Sequence, residues 1–505
     1  MKRVLVEPNR YFDSVFLMRI SREIEELPDV TQAVVAMGTR ANLDSLKAAG
    51  FAVGESATPI RPNDLLIAID AESENTFNAA RERLETLLAG SAEASGGAED
   101  VRPGSLRDAL EVDPAANLAL ISVPGEYAAR EAREALRRGL HVMLFSDNVS
   151  VEDEIALKAD AVEWGLLMMG PDCGTAILNG VPLGFANVCR RGSIGIVGAS
   201  GTGIQEISSL VHRMGGGISQ AIGTGGRDLS AEVGGAMVRF GIEALAADPG
   251  TEVIVVVSKA PAPEVARDVV ETLAASDKLG VVHFVGTASR EPEGGVQFAE
   301  TLEGAAVLAC EAIDAAAERT PTSVRAEAPI DGRLLGLFGG GTLCQEAWAL
   351  MHRAGIDVAS NVAFEPSKKV HPEAQVTGHV LWDLGDDAFT VGRPHPMIEP
   401  SLRDERVANA GEEPAVRLVL ADCVLGYGAH ADPAGSLADA AKRAIAAAEA
   451  DRRALYVVAS VTGTDRDPQN ATAQRATLEE AGAIVAGSNA EAVRIAIGLL
   501  RGEAT

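Results

Sequence analysis

The chain has 505 residues, of which 47% are hydrophobic and 23% charged. At roughly 100–200 residues per domain this composition supports several folded domains and excludes a disordered chain. Lys and Arg number 44 against 72 Asp and Glu, a net charge of −28, which excludes non-specific capture of nucleic acid or of an anionic membrane surface.

No apolar run approaches the ~20 residues that span a bilayer, and the N-terminal stretch is too short for a signal peptide. The five cysteines are dispersed, with no CxxC pair. They read as reduced thiols of a cytoplasmic protein, with no disulfide frame and no metal site.

In chain order, short β-branched runs alternate with amphipathic stretches. Strands are expected at Arg3–Glu7, Gln32–Met37, Asp64–Ile69, Leu118–Val123, His141–Phe145, Ser193–Val197, Glu252–Val257, Gly280–Val285, Leu334–Phe338, Val416–Leu420 and Ala454–Val458. Helices are expected between many of them, as at Glu126–Arg138 and Val151–Trp164. Such alternation predicts an α/β protein of several doubly wound domains with parallel sheets. Ser91–Gly104 and Glu318–Gly332 read as linkers, and Cys189–Ser193 marks a weaker boundary. The expected division is a small α/β domain at 1–90, a Rossmann-like domain at 105–190, and two related flavodoxin-like domains at 191–320 and 331–505.

The last two are related by a repeat. Gly201–Gly215 reads GTGIQEISSLVHRMG and Gly341–Gly355 reads GTLCQEAWALMHRAG, offset by 140 without a gap, with eight of fifteen positions identical. Each copy follows a strand and a glycine-rich turn. A strand, a glycine turn and a helix present free backbone N–H groups and the positive end of a helix dipole, which together bind phosphate or carboxylate. Ser200, Gly201 and Thr202, with Gly340, Gly341 and Thr342, are therefore the candidate anion-binding residues, and two such loops can converge on one anion. The same loops also occur as plain tight turns in doubly wound folds. Neither has the GK[ST] of a Walker loop, nor GxGxxG followed by a ribose-binding acid.

SIGIVGASGTGIQE and IGTGGRDLS resemble the phosphate-facing segments of the succinyl-CoA synthetase α chain. SVP and GPDCG resemble its CoA-binding domain, and the second repeat resembles the C-terminal domain of the β chain. DLGDDAFTVGRPHPMIEP and the fused architecture further resemble the FdrA family of acyl-CoA synthetase-like proteins. The resemblance spans roughly residues 115–505. It implies a CoA-like site at Ser122, Val123, Pro124, Gly170, Pro171, Asp172 and Cys173. It also implies CoA and an acyl or carbamoyl phosphate as ligands, and partner subunits encoded in the same operon. The activity implied is acyl or carbamoyl transfer of the oxamate carbamoyltransferase type, in allantoin catabolism. No segment remains for an ATP-grasp domain. The region matching the synthetase's phosphohistidine loop, Thr287–Ala305, contains no histidine.

Two other readings stay open: the CoA-binding subunit of a nucleoside-diphosphate-forming acyl-CoA ligase, and a non-catalytic CoA- or nucleotide-sensing scaffold. A homo-oligomer is compatible with each of them.

The catalytic candidates are His395 and Arg393 in the proline-stiffened GRPHPM loop, Asp387 just before it, and the repeat-matched Glu206 and Glu346. Arginine grips phosphate or carboxylate bidentately, and histidine moves protons near neutral pH. The glutamates equally suit a plain role complementing their helix dipoles. His212 and His352 are expected to cap the C-terminal ends of their helices. Cys173 and Cys344 are expected to be buried small residues.

Overall fold

The structure is a computed structural model. It describes residues 2–503 except 9, 11, 13, 26, 40–41, 44–45, 48, 53–59, 62–63, 94–102, 289, 316–321, 323–327, 373 and 391–393. Most of both expected linkers, and Arg393, lie outside the described residues. The chain divides into two compact units, Met1–Ser105 with Thr390–Pro394, and Leu106–Phe389 with His395–Thr505.

In the first unit, strands β1 (Lys2–Glu7), β2 (Val30–Met37) and β3 (Leu65–Ala71) form a sheet ordered β1-β3-β2. Both pairings are antiparallel, which departs from the parallel sheet that strand–helix alternation suggests. The Ser14–Glu25 helix returns the chain so that β1 and β2 run the same way, but β3 then enters between them, a split βαβ arrangement. β2 alternates buried and part-buried residues, placing Ala33, Val35 and Met37 in one core with Leu17, Ile20, Phe77 and Leu84.

The second unit holds three sheets. Strands β4 (Leu118–Ile121), β5 (His141–Leu144) and β6 (Met168–Met169) form a parallel three-stranded sheet in that order. The helices Gly125–Arg137 and Val151–Glu163 connect them. The next sheet is seven-stranded, ordered β13-β12-β11-β9-β10-β7-β8. It contains β7 (Thr175–Leu178), β8 (Val181–Gly184), β9 (Arg191–Ala199), β10 (Ile218–Gly223), β11 (Val253–Ser258), β12 (Leu279–Phe284) and β13 (Val296–Phe298). Its β7–β8 hairpin pairs antiparallel and precedes Cys189–Ser193, yet joins the strands that follow.

The last sheet is parallel and ordered β15-β16-β14-β17-β18-β19. Its strands are β14 (Arg333–Phe338), β15 (Val358–Ser360), β16 (His379–Asp383), β17 (Val416–Val424), β18 (Tyr456–Thr462) and β19 (Ile484–Ala486). Strand order reverses beside β9 and beside β14, the switch points where open α/β sheets bind ligands at the carboxyl ends of their strands.

The two repeats share one apolar core. Ile196, Ile204 and Val211 from the first pack in the same cluster as Leu343, Ala347, Val493 and Leu499 from the second. A buried ionic knot fixes the preceding helix. Lys158, 1% exposed, donates to Glu154, Asp228 and the carbonyl of Thr224 at 2.7–2.9 Å. No described helix is long and apolar enough to cross a membrane.

Candidate functional site

The repeated loops meet. β9 ends at Ala199, and Ser200 caps the Gly201–Arg213 helix by accepting a hydrogen bond from the Gly203 N–H at 3.1 Å. β14 ends at Phe338, and the Gly341–Arg353 helix starts after Gly339 and Gly340. The Ser200 and Thr342 hydroxyls hydrogen-bond at 2.8 Å, so the positive ends of both helices abut. The N–H groups of Gly201, Thr202, Gly341 and Thr342 have no acceptor among the described residues. They belong to first turns, which carry no intrahelical partner.

The second loop is also lined by buried acids. Asp422, on β17, accepts from the N–H groups of Gly339 and Gly340, both at 2.7 Å. It thereby fixes the turn that leads into the helix, whose own N-cap, Gly340, makes no side-chain cap bond. Asp383, at the end of β16, accepts from Gly385 N–H through Oδ1 at 2.9 Å. Its Oδ2 lies 2.6 Å from where a Cβ on Gly341 would stand. Burial pushes the Asp383 carboxyl up to about 7 and also raises Asp422. The Lys259 ammonium, just beyond β11, acts against that rise at Asp383 and also reaches Asp172 electrostatically. Lys259 is exposed and forms no ion pair among the described residues.

His395 joins this corner. Its Nε2 and Asp383 Oδ1 lie 2.7 and 3.2 Å from the point where a Cβ on Gly385 would sit. Its Nδ1 accepts from Met397 N–H at 3.2 Å, and its ring lies 5.9 Å from that of Phe185. Burial pushes the imidazole down to about 4, so it is neutral near pH 7. Asp387 is exposed and reaches Asp172 electrostatically.

The paired glutamates have other commitments. Glu206 accepts from Thr462 Oγ1 at 2.5 Å and from the N–H of Asn489 at 2.9 Å. Glu346 accepts from the N–H of Leu302 and from Asn489 Nδ2, both at 2.7 Å. Asn489 and Leu302 begin the helices Asn489–Arg501 and Leu302–Glu311. Each repeat's glutamate thus caps the last helix of the other repeat. Burial raises both carboxyls, Glu346 to about 7.

His212 and His352 do sit in the last turns of their helices. His212, however, accepts from Arg190 N–H through Nδ1 and meets Asp465 through Nε2, while His352 stacks on Trp348 at 4.9 Å. Cys173 and Cys344 are buried, and burial pushes both thiols up, Cys173 to about 12, so neither is a ready nucleophile.

The CoA-like segments lie at the carboxyl ends of β4, β5 and β6. Val123 N–H donates to Ser146 Oγ, and Asp172 N–H to the Ser146 carbonyl, both at 3.0 Å. Cys173 N–H donates to the Leu144 carbonyl at 3.1 Å. Gly170 has φ +107°, and a Cβ there would lie 2.3 Å from the Leu144 carbonyl oxygen, so only glycine lets Gly170–Pro171 approach. Ser122, Pro124 and Asp172 are exposed along this edge.

Sequence reasoning missed Lys259, Asp383 and Asp422. The available signal was position: all three stand in the C-terminal halves of parallel strands or directly after them, where such sheets bind ligands.

Comparison with known proteins gives three segmental matches. Residues 1–103 match "AllF, heavy metal-associated domain", residues 190–286 the "CoA binding domain" and residues 337–499 "CoA-ligase". Residues 1–103 contain neither Cys nor His, so the thiolate and imidazole ligands that soft metals select are missing there.

Succinate–CoA ligase [ADP-forming] subunit alpha-2 of Trichomonas vaginalis is 31% identical over 184 residues, 35% of this chain and 58% of that protein. A dinucleotide forming acetyl-coenzyme A synthetase 1 from Ca. Korarchaeum cryptofilum aligns over 76% of this chain and 82% of its own, at 16% identity and a TM-score of 0.32. The uncharacterized protein YahF of Escherichia coli is 45% identical over 499 residues, 96% of each chain. The chain therefore carries segments that match CoA-binding and CoA-ligase domains and belongs to the same family as YahF.

Proposed function

We propose that the chain is a cytoplasmic, FdrA-like subunit of an acyl- or carbamoyl-transferring enzyme of the oxamate carbamoyltransferase type, with partner subunits completing it. The supporting observation is the Ser200–Thr342 hydrogen bond at 2.8 Å, which brings two helix N-termini with uncommitted N–H groups to one place. Such a pair stabilises the charge that develops on phosphate as an acyl phosphate gives up its acyl group. Neither the pair nor Lys259 requires a phosphohistidine. The test is to incubate the chain and its co-purified partners with carbamoyl donors and phosphate. Carbamoyl phosphate formation supports the reading, and its absence with every donor and partner counts against it.

A second reading is the CoA-binding subunit of a succinate–CoA ligase-like enzyme with ATP-grasp on another chain. The CoA binding domain and CoA-ligase matches favour it. The residues expected to hold CoA, 122–173, lie outside the 190–286 match, and there the Lys259 and Arg227 cations oppose the repulsion between Asp147 and Asp172. Tight, stoichiometric CoA binding with nucleoside-diphosphate formation beside an ATP-grasp partner would favour the ligase.

A further inference from the structure

We infer that Asp383 is a proton-donating ligand of the anion held between the two helix N-termini, with Lys259 as the cation beside it, an assignment that rests on the composite anion site proposed above.

Asp383 is 7% exposed. Its Oδ1 is committed to Gly385 N–H at 2.9 Å, and its main chain is tied on both sides to the Asn361 amide at 2.9 and 3.0 Å. Its Oδ2 accepts no hydrogen bond among the described residues and stands beside Gly341, 2.6 Å from the position a Cβ would take. A carboxylate held there repels any anion drawn to the Gly341 N–H, whereas a carboxylic acid at the same place donates an O–H to it.

The charged and titratable groups around Asp383 favour that second form near neutrality. Asp422 faces it from β17 and Asp386 from the following turn, both raising its pKa. Lys259 opposes them. His395 is held neutral down to about 4, and Cys344, on the Gly341–Arg353 helix, is neutral because its thiol is pushed well above its usual range. Asp383 itself titrates at about 7. Among these neighbours it is the group placed to exchange a proton near pH 7 while in contact with the ligand. The site therefore selects a small oxyanion with an oxygen able to accept a hydrogen bond, such as a phosphoryl group, and holds it more tightly as pH falls.

The probe is inorganic sulfate, which stays dianionic where phosphate would itself titrate, bound to the full chain and followed by calorimetry from about pH 5.5 to 8.5. Sulfate affinity is expected to fall by up to about tenfold per pH unit above the Asp383 midpoint. Asp383→Asn keeps an acceptor for Gly385 N–H, and its affinity is expected to lose that pH dependence. Lys259→Gln, at an exposed position, is expected to weaken binding at every pH and to move the midpoint upward, because its charge favours the ionised acid. Glu346→Gln should leave the midpoint in place, since Glu346 also titrates near 7 but is committed to Leu302 and Asn489. If sulfate binds with unchanged pH dependence in Asp383→Asn, or if Glu346→Gln is the variant that removes it, the assignment is overturned and the anion site survives. If sulfate binds the wild-type chain at no pH, the composite anion site fails, and the assignment fails with it.

Discussion

Gly201 and Gly341 occupy matched positions in the repeat, yet the structure predicts opposite responses to the same substitution. A Cβ on Gly201 would lie 3.1 Å from Thr175 Oγ1. That hydroxyl donates to the Phe185 carbonyl at 2.8 Å and needs to move only a few tenths of an ångström. Alanine also restricts the unfolded chain, which contributes about 0.4–1 kcal/mol of stability where the backbone tolerates it. At Gly341 the new methyl would meet Asp383 Oδ2 at 2.6 Å. With its main chain pinned by the Asn361 amide, the Asp383 carboxylate can retreat only by giving up its Oδ1 bond to Gly385 N–H. Overpacking of this kind costs about 1–3 kcal/mol. The two variants should therefore differ by about 2–3 kcal/mol, with Gly201→Ala at or above wild type and Gly341→Ala well below it. Urea denaturation of the full-length variants, followed by circular dichroism, measures this directly. Equal midpoints, or a Gly341→Ala midpoint above that of Gly201→Ala, would refute the placement of Asp383 against the second helix start.

Three further outcomes are expected. Glu346 takes up a proton on folding, because its carboxyl sits at about 7 against an ordinary 4.5. Its contribution is complete below pH 4.5 and is lost as pH rises through 7, a change on the order of 3 kcal/mol. Glu346→Gln should accordingly flatten the stability profile across that window, and a profile identical to wild type would sink the idea. Lys158→Met leaves Asp228 buried without its cation, while Glu154 keeps Arg227 at 2.9 Å, and should cost about 3–5 kcal/mol in chemical denaturation; a loss below about 1 kcal/mol would mean that the knot is solvated. Incubated with labelled ATP, the isolated chain should remain unlabelled, and acid-labile phosphate on a histidine would contradict this.

The repeat was legible because its signal is local. The aligned glycines are where both helices begin, and both helices end at the aligned Arg213 and Arg353. Strand cores such as Leu334–Phe338 were legible for the same reason, as short apolar runs bounded by glycine. What the sequence could not display was contact across large separations. Ser200 meets Thr342, Asp383 reaches Gly341 from another strand, and Lys259 comes from the other sheet. Asp383 and Lys259 look ordinary in their own segments, whereas Ser200, Gly341 and Thr342 stand out through the repeat and only the Ser200–Thr342 contact itself is hidden. The antiparallel first sheet was hidden too, since strand–helix alternation does not say which strand enters between which. Glu206 and Glu346 attracted notice through the repeat, but their partners, Asn489 and Leu302, lie in the helices that close the opposite repeats.

The exchanged helix caps also bear on how the two repeats can be handled as parts. Cutting the chain between them would leave the Leu302–Glu311 helix without Glu346 and the Asn489–Arg501 helix without Glu206. Each fragment would expose orphan N–H groups at one helix end, and its own glutamate would lose the donors that satisfy it. Two separate polypeptides could restore these bonds only by association, at a strength that dilution erodes. In a single chain the covalent connection supplies a fixed effective concentration. The fused architecture thus makes the integrity of the glycine-loop corner independent of how much protein the cell contains. Splitting the gene at the linker should convert a concentration-independent unfolding transition into one whose midpoint rises with protein concentration.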